Sequence, residues 1–420
     1  MDSTILIILL VILTLLGAPL FTIIGGFALL GFWDQGIDSS AVIIELYKIA
    51  TMPTLIAIPL FTFAGYLLAE SGSPKRLVAL ARALFGWMPG GLALVVLLSC
   101  AFFTAFTGAS GVTIVALGGL LFPMLISERY SERFSLGLVT TSGSLGLLFP
   151  PSLPIILFAL VAEQSIDKLF VAGIIPGFLL IAILGTYSII SGKRSKVQRI
   201  PFEWGELGRS IKGAAWEIPL PILIVGGIYS GAFTATEAAA ITAFYVLIVE
   251  VFIHRDLTLR KDVPRVMRES MMLVGAILAI LGTALGLTNY LIDQQVPQKL
   301  FEVVQAQVES RIMFLIILNL FLLVVGMMMD IFSATLVVVP LILPIASQFG
   351  VHPVHLGIIF LTNLEIGYMT PPVGLNLFLS SLRFEKPILT IARSVLVFIS
   401  LLLVALLLIT YIPVLSLWWR

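Results

Sequence analysis

The sequence predicts an all-α polytopic membrane protein made of two repeats, and three observations carry that prediction. The chain has 420 residues, of which 59% are hydrophobic and only 11% charged, with a mean hydropathy of +1.12; soluble domains carry about 25% charged residues. Apolar runs recur along its whole length, and about 20 such residues suffice for one helical crossing. Two Pro-Pro pairs, in "LFPPSLP" (148–154) and "MTPPVG" (369–374), interrupt such runs at positions 221 residues apart. A transmembrane barrel would instead show short alternating segments.

Taken in order, the candidate spans are 4–32, 41–69, 87–127, 134–161, 169–191, 216–253, 270–292, 311–347, 354–382 and 387–417. Met1-Asp2-Ser3 lacks the basic start of a cleaved signal peptide, so 4–32 is read as the first span. Residues 51–77 contain Pro53 and Pro59 and leave through Gly72-Ser73-Pro74. They suggest a re-entrant hairpin with its tip near Ile58-Pro59; a plain kinked span is the alternative. The long run 87–127 is interrupted by "FTGASGVTIV" (106–115), and 134–161 by the first Pro-Pro pair. The stretch 192–215 is the longest polar one and too short to hold a core. Its Lys193, Arg194, Lys196, Arg199, Arg209 and Lys212, and later Arg255, Arg260, Lys261, Arg265 and Arg268, place both connectors on the cytoplasmic side by the positive-inside rule. The intervening 216–253 fits two crossings, the second opening on Thr234-x-x-Glu237, a capping box.

Residues 269–300 form the partner of the first hairpin, with a tip expected near "GTALG" (282–286). The run 311–347 carries "GMMMDIFSAT" (326–335), and 354–382 the second Pro-Pro pair. His352 and His355 read as an interfacial turn, since two His without a third ligand make a weak metal site. Trp418-Trp419-Arg420 reads as an interfacial anchor. The single Cys100 excludes an internal disulfide, and a net charge of +1 argues against a nucleic-acid partner.

The offset of 221 also places Pro123 on Pro344, Thr141 on Thr362 and Gly146 on Gly367, while "SPKRL" (73–77) matches "VPQKL" (296–300) at 223. The chain therefore divides into a first repeat at 1–200, a basic connector at 201–213 and a second repeat at 214–420. Lys75 and Arg76 in one hairpin stand against Gln298 and Lys299 in the other, which suits repeats of inverted orientation.

Proline pairs remove backbone donors and break helices, and broken backbone at membrane depth survives only where protein buries it or it lines a wet cavity. Freed carbonyls can coordinate Na⁺, and half-helix N-termini can hold a carboxylate. Each repeat offers the same pair of parts. The first has the Gly108-Ala109-Ser110-Gly111 loop and the segment with Thr141, Ser142, Ser144, Pro150, Pro151 and Ser152; the second has 326–335 and "TNLEIGYMTPPVGLN" (362–376). Small and hydroxylic residues also serve ordinary helix packing. Asp330 can bind an ion, carry a proton, or cap the half-helix starting near Ile331.

These motifs, with "GASGVTIVALGG", "GSLGLLFPPSLP", "LFVAGIIPG", "FTATEAAA" and the long stretch 327–378, make the chain resemble the large, DctM-like M subunit of the tripartite ATP-independent periplasmic (TRAP) transporters. The resemblance covers nearly the whole chain. It departs from the family pattern at Ala235, where Pro is usual, and in the composition of the 108–111 loop. It implies a cation-coupled, typically Na⁺-driven, importer of organic acids in the bacterial inner membrane. It also implies a scaffold and a moving transport domain working as an elevator. The partners implied are a small four-helix membrane subunit, a periplasmic substrate-binding protein and the lipid bilayer. Carried over, the ion site comprises Gly108, Ala109, Ser110, Pro150, Gly326, Asp330, Thr370 and Pro371. Substrate would meet Pro59, Ser110, Ser152, Thr283, Thr370 and Asn376. A stand-alone dicarboxylate/Na⁺ symporter or cation/proton antiporter of similar architecture is the alternative. No catalytic residue is assigned: neither H-E-x-x-H nor a phosphate-binding G-x-x-x-x-G-K-[ST] occurs.

Overall fold

The computed structural model describes residues 9–14, 16–38, 40–194, 201–306, 308 and 310–419. Residues 4–8 of the expected first span, Lys196 and Arg199 of the connector, and Arg420 lie outside them. The described residues are helical and contain no strand. Among the described residues, eight helices, or nine with one bent pair counted as a span, are long and apolar enough to cross a membrane.

In the first half, α1 (Leu20–Asp34), α2 (Ser40–Ala50), α3 (Ala57–Glu70) and α4 (Ser73–Phe85) lead into a broken pair, α5 (Gly91–Thr107) and α6 (Ser110–Ser127). Gly108 ends α5 at φ 65°, a left-handed conformation that glycine adopts without the Cβ penalty of other residues. α7 (Glu132–Ser142) starts on the Ser131 side chain, which accepts from the Phe134 N–H. It stops in an irregular 143–152 stretch, after which α8 (Leu153–Val161) and the long α9 (Ile166–Arg194) follow. The connector contributes α10 (Trp204–Gly213), none of whose residues is buried and which packs on α4.

The second half opens with α11 (Pro219–Tyr229) and α12 (Ala235–Ile248), the latter continued by a π turn to Ile253. α12 begins on the expected capping box, Thr234 and Glu237 exchanging side-chain and backbone bonds. With 11 residues, α11 is about 16 Å long at 1.5 Å per residue, shorter than a full span, yet 216–253 still goes out and back. α12 packs on α11 and returns Glu250 to the side of Glu217, both bonded by the Ser73 hydroxyl. The succession then runs through α13 (Asp262–Asp293), α14 (Val296–Gln305), α15 (Arg311–Met328), α16 (Ile331–Gln348), α17 (Pro353–Gly367), α18 (Leu375–Phe384) and α19 (Ile388–Tyr411).

Both hairpins turn elsewhere than the sequence suggests. Pro59 lies in the first turn of α3, where a proline is tolerated because the N–H there has no helical acceptor. The helix breaks instead at Ser71-Gly72. α13 passes through 282–286 without interruption and the reversal comes at Gln294-Gln295. The glycines of "GTALG" serve packing: α13 lies against α1, α2 and α3.

Two features tie the halves together. Helix α6 packs on α18, and α16 on α8, so the helix after each loop break rests on the helix after the other half's Pro-Pro pair. The same close crossing is also made twice. A Cβ added to Gly146 would sit 2.4 Å from the Ala105 nitrogen, and one added to Gly367 would sit 2.4 Å from the Gly326 carbonyl carbon; 105/326 and 146/367 are each 221 apart. Every residue of α17 from Val354 to Gly367 is buried, which makes it the centre of the bundle. The outside is apolar instead: Ile312, Ile316, Leu320, Val324 and Met328 form an exposed stripe along α15, the face a helix turns to lipid.

Candidate functional site

Gly108 and Ala109 form the first break. Gly108 is buried against Leu153, whose Cβ would lie 2.5 Å from a Cβ at 108, which sets this loop beside Ser152 at the head of α8. The Ser152 hydroxyl is buried and has no hydrogen-bond partner. Thr104 ties the break to the irregular stretch, donating to the Gly143 carbonyl at 2.7 Å, with the Thr113 hydroxyl 2.8 Å away. Gly108, Ala109, Ser110 and Ser152 thus lie at one place in the fold.

The second break is organised by Asp330. One carboxylate oxygen accepts from the Phe332 and Ser333 N–H groups at 3.0 Å each, and the other accepts from the Ser333 hydroxyl. Of the three roles open to Asp330, capping of α16 is the one the geometry displays. The Tyr368 hydroxyl accepts from the Ile331 N–H, the Gly374 N–H donates to the Met327 carbonyl at 3.2 Å, and the Asn376 N–H donates to the Tyr368 carbonyl at 3.0 Å. Gly326, Asp330, Thr370 and Pro371 therefore share one cluster around the unwound 368–374 segment. The Thr370 hydroxyl is turned back onto the Ile366 carbonyl at 2.9 Å.

The clusters meet through Asn376. The buried Ser110 hydroxyl donates to its side-chain oxygen at 2.7 Å, and its amide reaches the Thr140 carbonyl at 3.4 Å. The Thr140 hydroxyl in turn donates to Ser380 at 2.8 Å. Both Pro-Pro bonds are cis, but their surroundings differ: Pro150 and Pro151 are buried, whereas Pro371 and Pro372 are exposed. Pro150 lines an apolar crevice of about 540 Å³ with Phe102, Phe106, Phe149, Phe178 and Ile222, a wall unsuited to an anion.

Clefts with charged and hydroxyl groups set in largely apolar walls lie at opposite ends of the span Pro53–Glu70. One, of about 520 Å³, is lined by Tyr66, Glu70, Lys75, Gly111, Glu269 and Leu379 and so reaches the residue next to Ser110. The other, of about 670 Å³, is lined by Thr54, Gln164, Ser165, Asp167, Thr236 and Glu237. Thr283 does not join the constellation, and Pro59 is half-buried in the first turn of α3. The Thr283 hydroxyl bonds to the Ala279 and Ile280 carbonyls inside α13, and its methyl faces Gly25 of α1. It was assigned to a tip that does not exist at 282–286.

Sequence reasoning missed Tyr368, Thr140 and Ser380, whose partners lie 37 to 240 positions away. It also missed an ion-pair cluster. Arg76 binds Glu217, Glu250 at 2.9 Å and Asp256 at 2.6 Å, and both glutamates are fully buried. This cluster pins the head of α4 to the approach to α11 and to the π turn of α12. His352 caps α17 by accepting from Val354, and His355 bonds to Ser416 and the Thr410 carbonyl. Among the described residues no three His, Cys, Asp or Glu side chains form a metal site.

The family model described as "Tripartite ATP-independent periplasmic transporter, DctM component" matches residues 5–415. The C4-dicarboxylate TRAP transporter large permease protein DctM of Pseudomonas aeruginosa is 38% identical over 394 residues, covering 94% of this chain and 92% of that protein. The isethionate TRAP transporter permease protein DctMQ of Oleidesulfovibrio alaskensis is 35% identical over 363 residues, covering 86% of this chain but 57% of its own. In fold, the chain is similar to the YdaH transporter of Alcanivorax borkumensis, with a TM-score of 0.64 at 13% identity, covering 89% of this chain and 87% of the other.

Proposed function

Because the chain belongs to the family of the DctM component of tripartite ATP-independent periplasmic transporters, we propose that it is the membrane subunit through which small organic anions are imported at the expense of a Na⁺ gradient. The observation that carries this reading is the pair of helix breaks joined at Ser110 and Asn376. Each break leaves carbonyls at one helix end and N–H groups at the next, the combination that serves cations and anions respectively. On this side of the proposal, carbonyls near Gly108-Ala109 and Gly326–Asp330 hold Na⁺, while Ser110, Ser152, Thr370 and Asn376 meet the anion. Relatives named for C4-dicarboxylate and isethionate agree with a compact anionic substrate.

The duplicated organisation, 1–200 and 214–420, is read as a pair of inverted repeats, and the clefts at the two ends of Pro53–Glu70 as the two access routes of an elevator. A periplasmic binding protein delivers substrate, and a small four-helix subunit completes the membrane part; the greater length of the DctMQ relative supports the latter. The test is uptake of a panel of dicarboxylates and sulfonates into proteoliposomes containing this chain, the small subunit and the binding protein. An inward Na⁺ gradient is expected to drive accumulation. Uptake indifferent to Na⁺, or undiminished when the binding protein is omitted, overturns the reading, the latter in favour of a stand-alone symporter.

A further inference from the structure

Glu365 lies inside α17, two residues before its end, and is fully buried. Neither of its carboxyl oxygens has a hydrogen-bond partner. The polar group facing it is the Ser144 hydroxyl, whose own proton goes to the Thr141 carbonyl 3.3 Å away. Ser144 and Glu365 are themselves 221 positions apart, so equivalent residues of the two halves meet here. The helices packed on α17 carry Asp167, Lys168, Tyr187, Lys193 and Arg194 (α9), Arg311 (α15), and Arg393 and Tyr411 (α19), with Asp330 before α16; α17 itself carries His355, and Tyr368 follows its end. None of these hydrogen-bonds to its carboxyl oxygens.

An ionised carboxylate without a donor or countercharge in such a place is heavily penalised, so it is neutralised by whatever can reach it. A sodium ion needs several oxygen ligands, whereas the groups described beside the carboxyl are the Ser144 hydroxyl and the Thr141 carbonyl it bonds. A proton needs one oxygen. Irregular backbone flanks the position on both sides, at 143–152 and at 368–374, and these are the segments that the proposed movement would shift. We propose that Glu365 is a proton-binding site of the transport cycle: an oxygen of the carboxylate takes a proton from water on one side of the membrane and gives it up on the other. This rests on the transport reading above and adds a second cation to it.

The test uses the chain reconstituted with its small subunit and binding protein, under a fixed Na⁺ gradient. An inward proton gradient added to it is expected to raise the initial uptake rate several-fold in the wild type. Glu365→Gln, which is nearly isosteric and cannot titrate, is expected to lose that response. An equal response in the variant, or none in the wild type, overturns the proposal; loss of Na⁺ dependence in the variant, with the proton response kept, reassigns the position to Na⁺ and also overturns it. Absence of any uptake by the wild type is the separate failure of the transport reading. Infrared difference spectra decide the matter should the variant prove inactive. Between acid and alkaline pH the wild type is expected to lose a protonated-carboxyl carbonyl band that the purified variant lacks from the outset, and a band set identical in both proteins overturns the proposal.

Discussion

Asp330 shows how a single residue can be open to several chemistries, of which the geometry displays the capping of α16. Its isolation in an apolar stretch made it conspicuous, and the helix start at Ile331 was legible because the half-helix needs a cap. Which oxygens it satisfies was not legible, since that depends on the turn the chain takes at Met329. Capping and charge are separable. Asp330→Ala is expected to cost about 0.5–2 kcal/mol of stability through the lost cap, read as a lower melting temperature in detergent. Asp330→Asn keeps an acceptor, so it should melt close to the wild type while Na⁺-driven uptake falls several-fold; unchanged uptake would confine Asp330 to capping. Gly367→Ala tests the backbone crossing at the same scale. Its methyl would meet Gly326 backbone at 2.4 Å, an overpacking expected to cost about 1–3 kcal/mol, with Gly146→Ala behaving alike at the equivalent crossing. Tyr368 stands for what remained hidden: nothing in its neighbourhood along the chain announces that its hydroxyl serves Ile331.

At the level of the element, the helix breaks were legible because Gly108 and the proline pairs are local signals, whereas the hairpin turns were not. Pro59 looked like a tip but is compatible with a helical first turn, and the glycines at 282 and 286 were read as breakers although helix interiors in membrane bundles use them for close packing. Arg76 was noted only for its sign, yet it anchors α4 to two other elements. Arg76→Leu leaves Glu217 and Glu250 buried without their countercharge, which is expected to cost about 3–5 kcal/mol, seen as loss of the folded peak in size-exclusion chromatography or a steep fall in melting temperature. The cluster also has a pH signature. Burial works to raise the Asp256 carboxyl, but hydrogen bonds from Arg76 and the Gly72 N–H outweigh it and hold the carboxyl below the usual carboxylate range. A carboxyl lowered in the folded state stabilises above the unfolded value and loses that contribution as pH falls toward the folded one. Acid melting curves should therefore show a destabilisation in that interval that Asp256→Asn abolishes; identical pH profiles would detach Asp256 from the latch.

On the scale of the whole molecule, the 221-residue offset pointed to the paired breaks, 108–109 with 329–330 and Pro150-Pro151 with Pro371-Pro372, since repetition is a property of sequence. The pairing of α6 with α18 and of α8 with α16 was out of its reach, because it joins residues more than 170 positions apart whose complementarity leaves no local trace. The two clefts make a prediction of their own. In a background with Cys100 replaced, cysteines introduced at Lys75 and at Gln164 are expected to respond oppositely to a thiol reagent when Na⁺ and substrate are added, one gaining reactivity as the other loses it. Parallel changes at both would rule out exchange between the ends. The crossed helix pairing bears finally on how the protein is made. Helix α6 finds its seat on α18, more than 240 positions further along, so the early part of a nascent chain must dwell in the bilayer with that flank unoccupied until the later segment is translated, and a ribosome that stalls between the two leaves a product which cannot close upon itself.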